Sequence, residues 1–243
     1  MQKIKSNNIG KNLRPIYVRM LPSDMTPPAL PPPPGPLLTE LHYFPCQAFF
    51  AALLRAEGEL IIEAHETFQK QTYRNRCYIQ GANQVLLLTV PVEKARKHVS
   101  IKDVRIDTTQ RWRAQHWRAV QSAYGKSPFF EFFADEFERV FAKEWEWLYE
   151  LNRFVLTQCL NLLGLSARIT ETEHWHADAK GVWDLRSAFQ PGQTSSWRHF
   201  YQPVVYPQLF GEEFAENLSV LDLLCCEGPH ALSLLKQSIR YRN

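Results

Sequence analysis

Between Leu37 and Ala64 the chain runs strand, helix, strand within less than thirty residues, and that order leaves few folds open. Leu38–Phe44 has the composition of a short strand, with Pro45 as a breaker, and Gln47–Arg55 (QAFFAALLR) is a strongly apolar helix. Gly58 then leads into Glu59–Ala64 (ELIIEA), a buried strand. A helical crossover returns the chain to the end where the first strand began, so the two strands are expected to pair in parallel. The expected class is α/β: a mixed, largely parallel sheet flanked by helices, with a helical C-terminal half.

The remaining pattern extends this start. His65–Arg76 is polar and turn-like, and Cys77–Ile79, the Gly81–Asn83 turn signal and Gln84–Val92 predict a hairpin feeding the core sheet. Val104–Asp107 is a candidate further strand. From Gln110 the apolar period becomes helical, and Arg111–Tyr124 places Trp112, His116, Ala119, Val120 and Ala123 on one stripe. Pro128 starts a second helix that runs through Phe141, and Trp145–Leu163 is a longer one ending at Gly164. Ala167–Glu171 suits a strand. Residues 172–203 show no period and predict a long loop, of the sort that is often functional. Ser219 with Asp222 resembles a capping box for a helix over Val220–Glu227, which Gly228–Pro229 ends.

Residues 24–36 (DMTPPALPPPPGP) lack the amide donors that helix or sheet needs, so 1–36 is expected to be a disordered basic, proline-rich arm and 37–243 a single domain. Charge follows the same division. Five cations against Asp24 put the arm at +4, while 23 basic and 24 acidic residues leave the body at −1. A body without excess positive charge argues against nucleic acid as a partner. Neither a membrane span nor an apolar leader is visible, and the five scattered cysteines form no Cys-x-x-Cys pair, so a cytoplasmic location is expected. The absence of a Walker loop or a Gly-x-Gly-x-x-Gly leaves any cofactor unspecified.

Several residues can carry chemistry. Lys70-Gln-Thr-Tyr73-Arg74-Asn75-Arg76 follows a buried strand and forms a plausible anion cradle, because arginine forks grip carboxylate or phosphate and lysine adds a point charge. Two other readings stay open: a solvated charge run, or a cluster that pairs with Glu63, Glu66 and the acidic helix Glu131–Glu138. His116, on the apolar stripe, is either a general base or a structural histidine tied to a carbonyl, with Tyr124 and Lys126 following it. His65-Glu66 adds an acid/base pair at the same strand end. Glu63, on the strand, needs a cation, for which Lys70 or Arg74 can serve. His174-Trp-His176 with Asp178 is too weak a pattern for a metal, and none is expected. Cys46 suits the core better than a nucleophilic role.

Tyr43-Phe-Pro45, the Phe-rich helix, the buried strand and Lys70-x-x-Tyr73-Arg-Asn75-Arg76-x-x-Ile79 together resemble the WbqC-like family. Leu88-Thr-Val-Pro91-Val, Ile106-Asp107, Trp112, His116, Tyr124, Lys126 and Pro128-Phe129 match its next blocks. Tyr206-x-Gln208-x-Phe210 and Asn217 to Pro229 resemble its Bacteroidetes-type branch. Departures are Leu41-His42 in place of Gln-Pro, Cys46 and Tyr73 in place of tryptophans, and His65 in place of an aspartate. The resemblance implies a place in O-antigen or other surface-polysaccharide biosynthesis, with an acyl, aminoacyl or glycine transferase activity on a nucleotide- or lipid-linked sugar. His116 or His65 would be the base, Lys70, Arg74 and Arg76 would hold the anion, and Asn75 would position a carbonyl. A non-catalytic protein that binds an anionic ligand or partner is the alternative.

Overall fold

The computed structural model describes residues 34–93, 98–175, 180–192, 196–211 and 213–241. Residues 1–33, most of the expected arm, lie outside the described residues. Its last three do not. Pro36 accepts a hydrogen bond from Trp183 N–H at 2.8 Å, and Gly35, at φ +95°, sits so close to Gly181 that a Cβ there would lie 2.8 Å from its carbonyl oxygen. The folded body thus begins before Leu37.

The strand–helix–strand unit forms as expected. β1 (Leu37–Thr39) and β2 (Glu59–Ile62) pair in parallel, Leu37 opposite Leu60 and Thr39 opposite Ile62, joined by α1 (Gln47–Arg55). Helix α1 is apolar on nearly every side and is buried along most of its length, as such a composition requires. Its first amides are satisfied from a distant segment: Gln47 N–H donates to Leu218 O at 3.0 Å and Ala48 N–H to Asn217 Oδ1 at 2.9 Å. β1 stops five residues before the end of the expected strand Leu38–Phe44, because the chain turns away at Glu40 and Tyr43 N–H bonds Tyr73 O instead.

β3 (Arg76–Gln80) and β4 (Val85–Thr89) form the antiparallel hairpin. The hairpin is a separate two-stranded sheet rather than a feeder of the parallel one, since the outer side of β3 is taken by Ser219, whose N–H bonds Tyr78 O at 2.8 Å. Val104–Asp107 makes only isolated bridges, Arg105 with Trp147 and Ile106 with Val92.

Three helices follow: α2 (Trp112–Tyr124), α3 (Phe130–Ala142) and α4 (Leu148–Leu163). Gly164, at φ +63°, ends α4 in the left-handed conformation that glycine adopts at least cost. β5 (Arg168–Glu171) then returns to the sheet beside β2, again in parallel. The loop expected over 172–203 contains β6 (Trp183–Asp184), a two-residue strand parallel to β1, too short to leave a periodic signal. α5 (Val220–Glu227) and α6 (Ala231–Gln237) close the chain. Ser219 caps α5 through Leu221 N–H, but Asp222 does not complete the box; its carboxylate accepts from Tyr206 at 2.5 Å and Gln208 at 2.9 Å. The class is α/β with a parallel sheet flanked by helices and a helical C-terminal part. Among the described residues, no helix is long and apolar enough to cross a membrane.

Candidate functional site

The four strands of the larger sheet run in one direction, so Thr39, Ile62, Glu171 and Asp184 end at a common edge. The spatial order is β5-β2-β1-β6. The chain adds strands on one side of β1 and then crosses to the other, and at such a reversal the connections leave in opposite directions and open a crevice. Beside it stand Glu40 and His42 after β1, Glu63, His65 and Glu66 after β2, Thr172 and His174 after β5, and Arg186 and Ser187 after β6.

Glu40 and His42 form the centre. Glu40 is 1% exposed; its Oε2 accepts from Ser187 N–H at 2.9 Å, and its Oε1 lies 3.5 Å from both Arg74 Nη1 and His42 Nε2. Burial alone would raise its pKa, but His42, Arg74 and Ser187 outweigh that and hold the carboxyl down at about 2. His42 is fully buried against Phe49, Tyr73 and Phe189, with ring centroids 5.2, 5.6 and 5.4 Å away. Neither of its ring nitrogens has a formed hydrogen bond, the contact to Glu40 being long. Burial lowers its pKa, overcoming the pull of Glu40, so the imidazole is neutral beside an ionised carboxylate.

Two further carboxylates complete the edge. Arg74 grips Glu66 with Nε–H on Oε1 at 2.8 Å and Nη2–H on Oε2. One guanidinium thus faces two buried carboxylates, and at Glu66 burial prevails over Arg74, raising the pKa to about 7. Glu63 accepts from Thr172 Oγ1 at 2.8 Å, His65 N–H at 3.0 Å and Arg186 Nη1 at 3.1 Å. Arg186 also holds Asp184 and lies 4.8 Å over the Trp175 ring. A cavity of about 300 Å³ opens alongside, lined by Leu38, Ile61, Thr172, Glu173, His174 and Val182.

The expected site residues divide among several places. Arg74 reaches the edge with its charge committed to Glu66 and Glu40, so the cluster's pairing with Glu66 is found and Glu63 is served by Arg186 instead of Lys70 or Arg74. Lys70 and His65 are exposed. Tyr73 packs on His42, and Asn75 closes the hairpin base, donating to Val90 O at 3.1 Å. Arg76 opens β3, half-buried, with its Nε unpartnered.

His116 is not joined to this network. It is 5% exposed, bonds Tyr43 Oη through Nδ1 at 2.9 Å, and burial lowers its pKa to about 4 against a smaller upward pull from Thr89. Tyr124 accepts from Gln80 N–H at 3.1 Å deep in the core, where burial and Asp222 raise its pKa, and Lys126 is exposed. Cys46 is buried, which pushes its thiol up to about 11 and removes it as a thiolate nucleophile. No cluster able to hold a metal exists among the described residues; His176 and Asp178 lie outside them. Glu40 and Arg186 went unnoticed in the sequence. Glu40 and His42, two apart just past a strand, were the available signal.

The model of the WbqC-like protein family matches residues 41–190, which takes in His42, Glu63, Glu66, Arg74 and Arg186 but not Glu40. The chain belongs to the WbqC-like family. It is 31% identical over 146 residues to a protein of Mycobacterium tuberculosis (strain ATCC 25618 / H37Rv) named "Uncharacterized protein Rv1507c". That alignment covers 59% of this chain and 62% of the relative. No solved structure matches the chain. His42 and Tyr73 touch, and His65 stands two residues past Glu63 at the same edge.

Proposed function

We propose that this WbqC-like protein is a transferase that moves an acyl or aminoacyl group, glycine among them, onto an amine or hydroxyl of a nucleotide- or lipid-linked sugar in cell-surface polysaccharide or O-antigen biosynthesis. The observation that carries the reading is the buried pair of a neutral His42 and an ionised Glu40 where the strand order reverses. A buried neutral imidazole whose ring nitrogen makes only a long, 3.5 Å contact to a carboxylate is suited to accept a proton from a substrate. His42 takes the proton of the acceptor N–H or O–H as the new bond to the acyl carbon forms. The bond from that carbon to the donor's leaving group breaks, and the leaving group receives the proton back. Glu40 stabilises the transient imidazolium. The exposed His65, just past β2, meets the polar or phosphorylated part of the substrate, and Phe189 must swing off His42 to admit the acceptor. A cytoplasmic setting agrees with five cysteines that are all free thiols.

The test pairs aminoacyl and acyl thioester donors with amino-sugar nucleotides and follows product by mass spectrometry. His42→Asn should lower turnover by about 10²–10⁴-fold under conditions where a thermal melt shows the variant still folded. Turnover equal to the parent's would refute the proposal. The complete burial of His42 also favours a second reading, in which the histidine is structural and the protein is non-catalytic; His42→Asn would then alter stability alone.

A further inference from the structure

The β3–β4 hairpin is left open on one side. Val90 N–H bonds Asn75 O at 2.8 Å and Gly81 N–H bonds Gln84 O at 3.0 Å, which fixes the alternation along the ladder between them. Cys77 with Leu88 and Ile79 with Leu86 exchange their hydrogen bonds across the hairpin, so the N–H and C=O groups of Tyr78, Gln80, Val85, Leu87 and Thr89 turn outward. On β3 these outward groups are used. Tyr78 O accepts from Ser219 N–H at 2.8 Å, and Gln80 N–H donates to Tyr124 Oη at 3.1 Å. Beyond β4 the same edge is closed as well: Pro91 O accepts from Asp107 N–H and Glu93 N–H donates to Arg105 O, each at 3.0 Å. Thr89 is engaged through its backbone by the His116 ring. Between that closure and the turn, the N–H and C=O groups of Val85 and Leu87 have no partner among the described residues.

Nothing guards this stretch. Edge strands are ordinarily blunted by a charge, a proline or a bulge, and Val85–Thr89 (VLLLT), in unbroken register with β3, has none of these. The Val85 and Leu87 side chains are 41% and 44% exposed, on the face that also carries Tyr78. Such an edge accepts an extended, uncharged, apolar strand, and β4 itself is one. Turned about a two-fold axis at Leu86, a second β4 sets Val85 opposite the partner's Leu87 and Leu87 opposite the partner's Val85. Each free N–H then meets a free C=O, and the groups are used up without remainder. A two-fold axis at Leu87 would instead require Thr89, whose backbone His116 already holds. In the Leu86 register the exposed valine and leucine lie side by side on one face, and the two Leu86 side chains meet on the other. No charge within the strand faces a like charge.

We propose that the open edge of β4 pairs antiparallel with β4 of a second copy of this chain, joining the two hairpins into one continuous sheet across a two-fold axis. The pairing is independent of the transferase reading, since it uses none of the residues at the carboxyl edge. The experiment is sedimentation velocity on the full chain over a range of micromolar concentrations, with hydrogen exchange followed at the Val85 and Leu87 amides. The expected result is a mass that rises with concentration to that of two chains, while exchange at both amides slows. Leu87 is exposed and its N–H serves no bond within the hairpin, so Leu87→Lys and Leu87→Pro should both fold, as circular dichroism checks, and sediment as one chain. If Leu87→Pro fails to fold, Leu87→Lys decides alone. A single-chain mass at every concentration, a dimer that survives Leu87→Lys, or exchange at the two amides that ignores concentration would overturn the pairing.

Discussion

Arg74 and Glu66 meet through two parallel hydrogen bonds with 2% and 5% of their side chains exposed, an ion pair of the interior rather than the rim. The same guanidinium lies 3.5 Å from Glu40, so one cation neutralises two buried carboxylates. Its backbone is held as well, Asn152 donating to Arg74 O at 2.7 Å.

Arg74→Ala is therefore expected to cost about 3–5 kcal/mol, because two carboxylates would remain buried without their cation. Lys70→Ala, four residues away and exposed, should change stability by less than about 0.5 kcal/mol. Urea unfolding of both variants checks this. Equal midpoints would mean that Arg74 is solvated in solution.

Acid should destabilise the protein through His116. Its folded pKa of about 4 lies below the 6.5 of a free imidazole, so the unfolded chain takes up the proton first as pH falls. The contribution is complete above 6.5 and is lost toward 4, at up to about 1.4 kcal/mol per pH unit. His42 acts in the same sense. Glu66 acts oppositely: raised from 4.5 to about 7, it contributes fully below 4.5 and less as pH rises toward 7. His116→Gln should remove one proton's worth of slope between pH 6.5 and 4, as read from melts at stepped pH. An unaltered slope would show that His116 becomes charged in the fold.

Gly228 sits at φ +50° with the Phe129 ring against it; an added Cβ would lie 2.4 Å from that ring. Gly228→Ala must both adopt a disfavoured backbone and displace a large side chain, so a loss of about 2–4 kcal/mol is expected. Gly164→Ala, with open space around it, pays the backbone term alone and should lose only about 1–2 kcal/mol. Calorimetry of the two variants separates crowding from conformation.

Tyr206 links Gln47 and Asp222, accepting from Gln47 Nε2 at 2.7 Å and donating to the carboxylate at 2.5 Å. Asp222 is fully buried, its pKa raised by burial, and its Oδ1 has no partner. Tyr206→Phe should cost about 1–3 kcal/mol, since it strips a buried carboxyl of a donor. A thermal midpoint equal to the parent's would indicate that water replaces the hydroxyl.

Local pattern was enough for α1, whose nine residues match QAFFAALLR end to end, for the parallel pairing of β1 with β2, and for the glycine stop at the end of α4. Each follows from side-chain volume, period or backbone freedom within a short window, which the order of residues states outright. Membership of the WbqC-like family was equally legible. Tertiary structure alone decided that β6 joins the sheet, that the hairpin stands apart from it, and that Arg186, 123 residues from Glu63, is its cation. It also separated His116 from Arg74, sealing the histidine against Tyr43 and turning the arginine inward. Charge and burial compete over distances in space, and a run of cations in sequence carries no record of which carboxylates the fold brings to meet it.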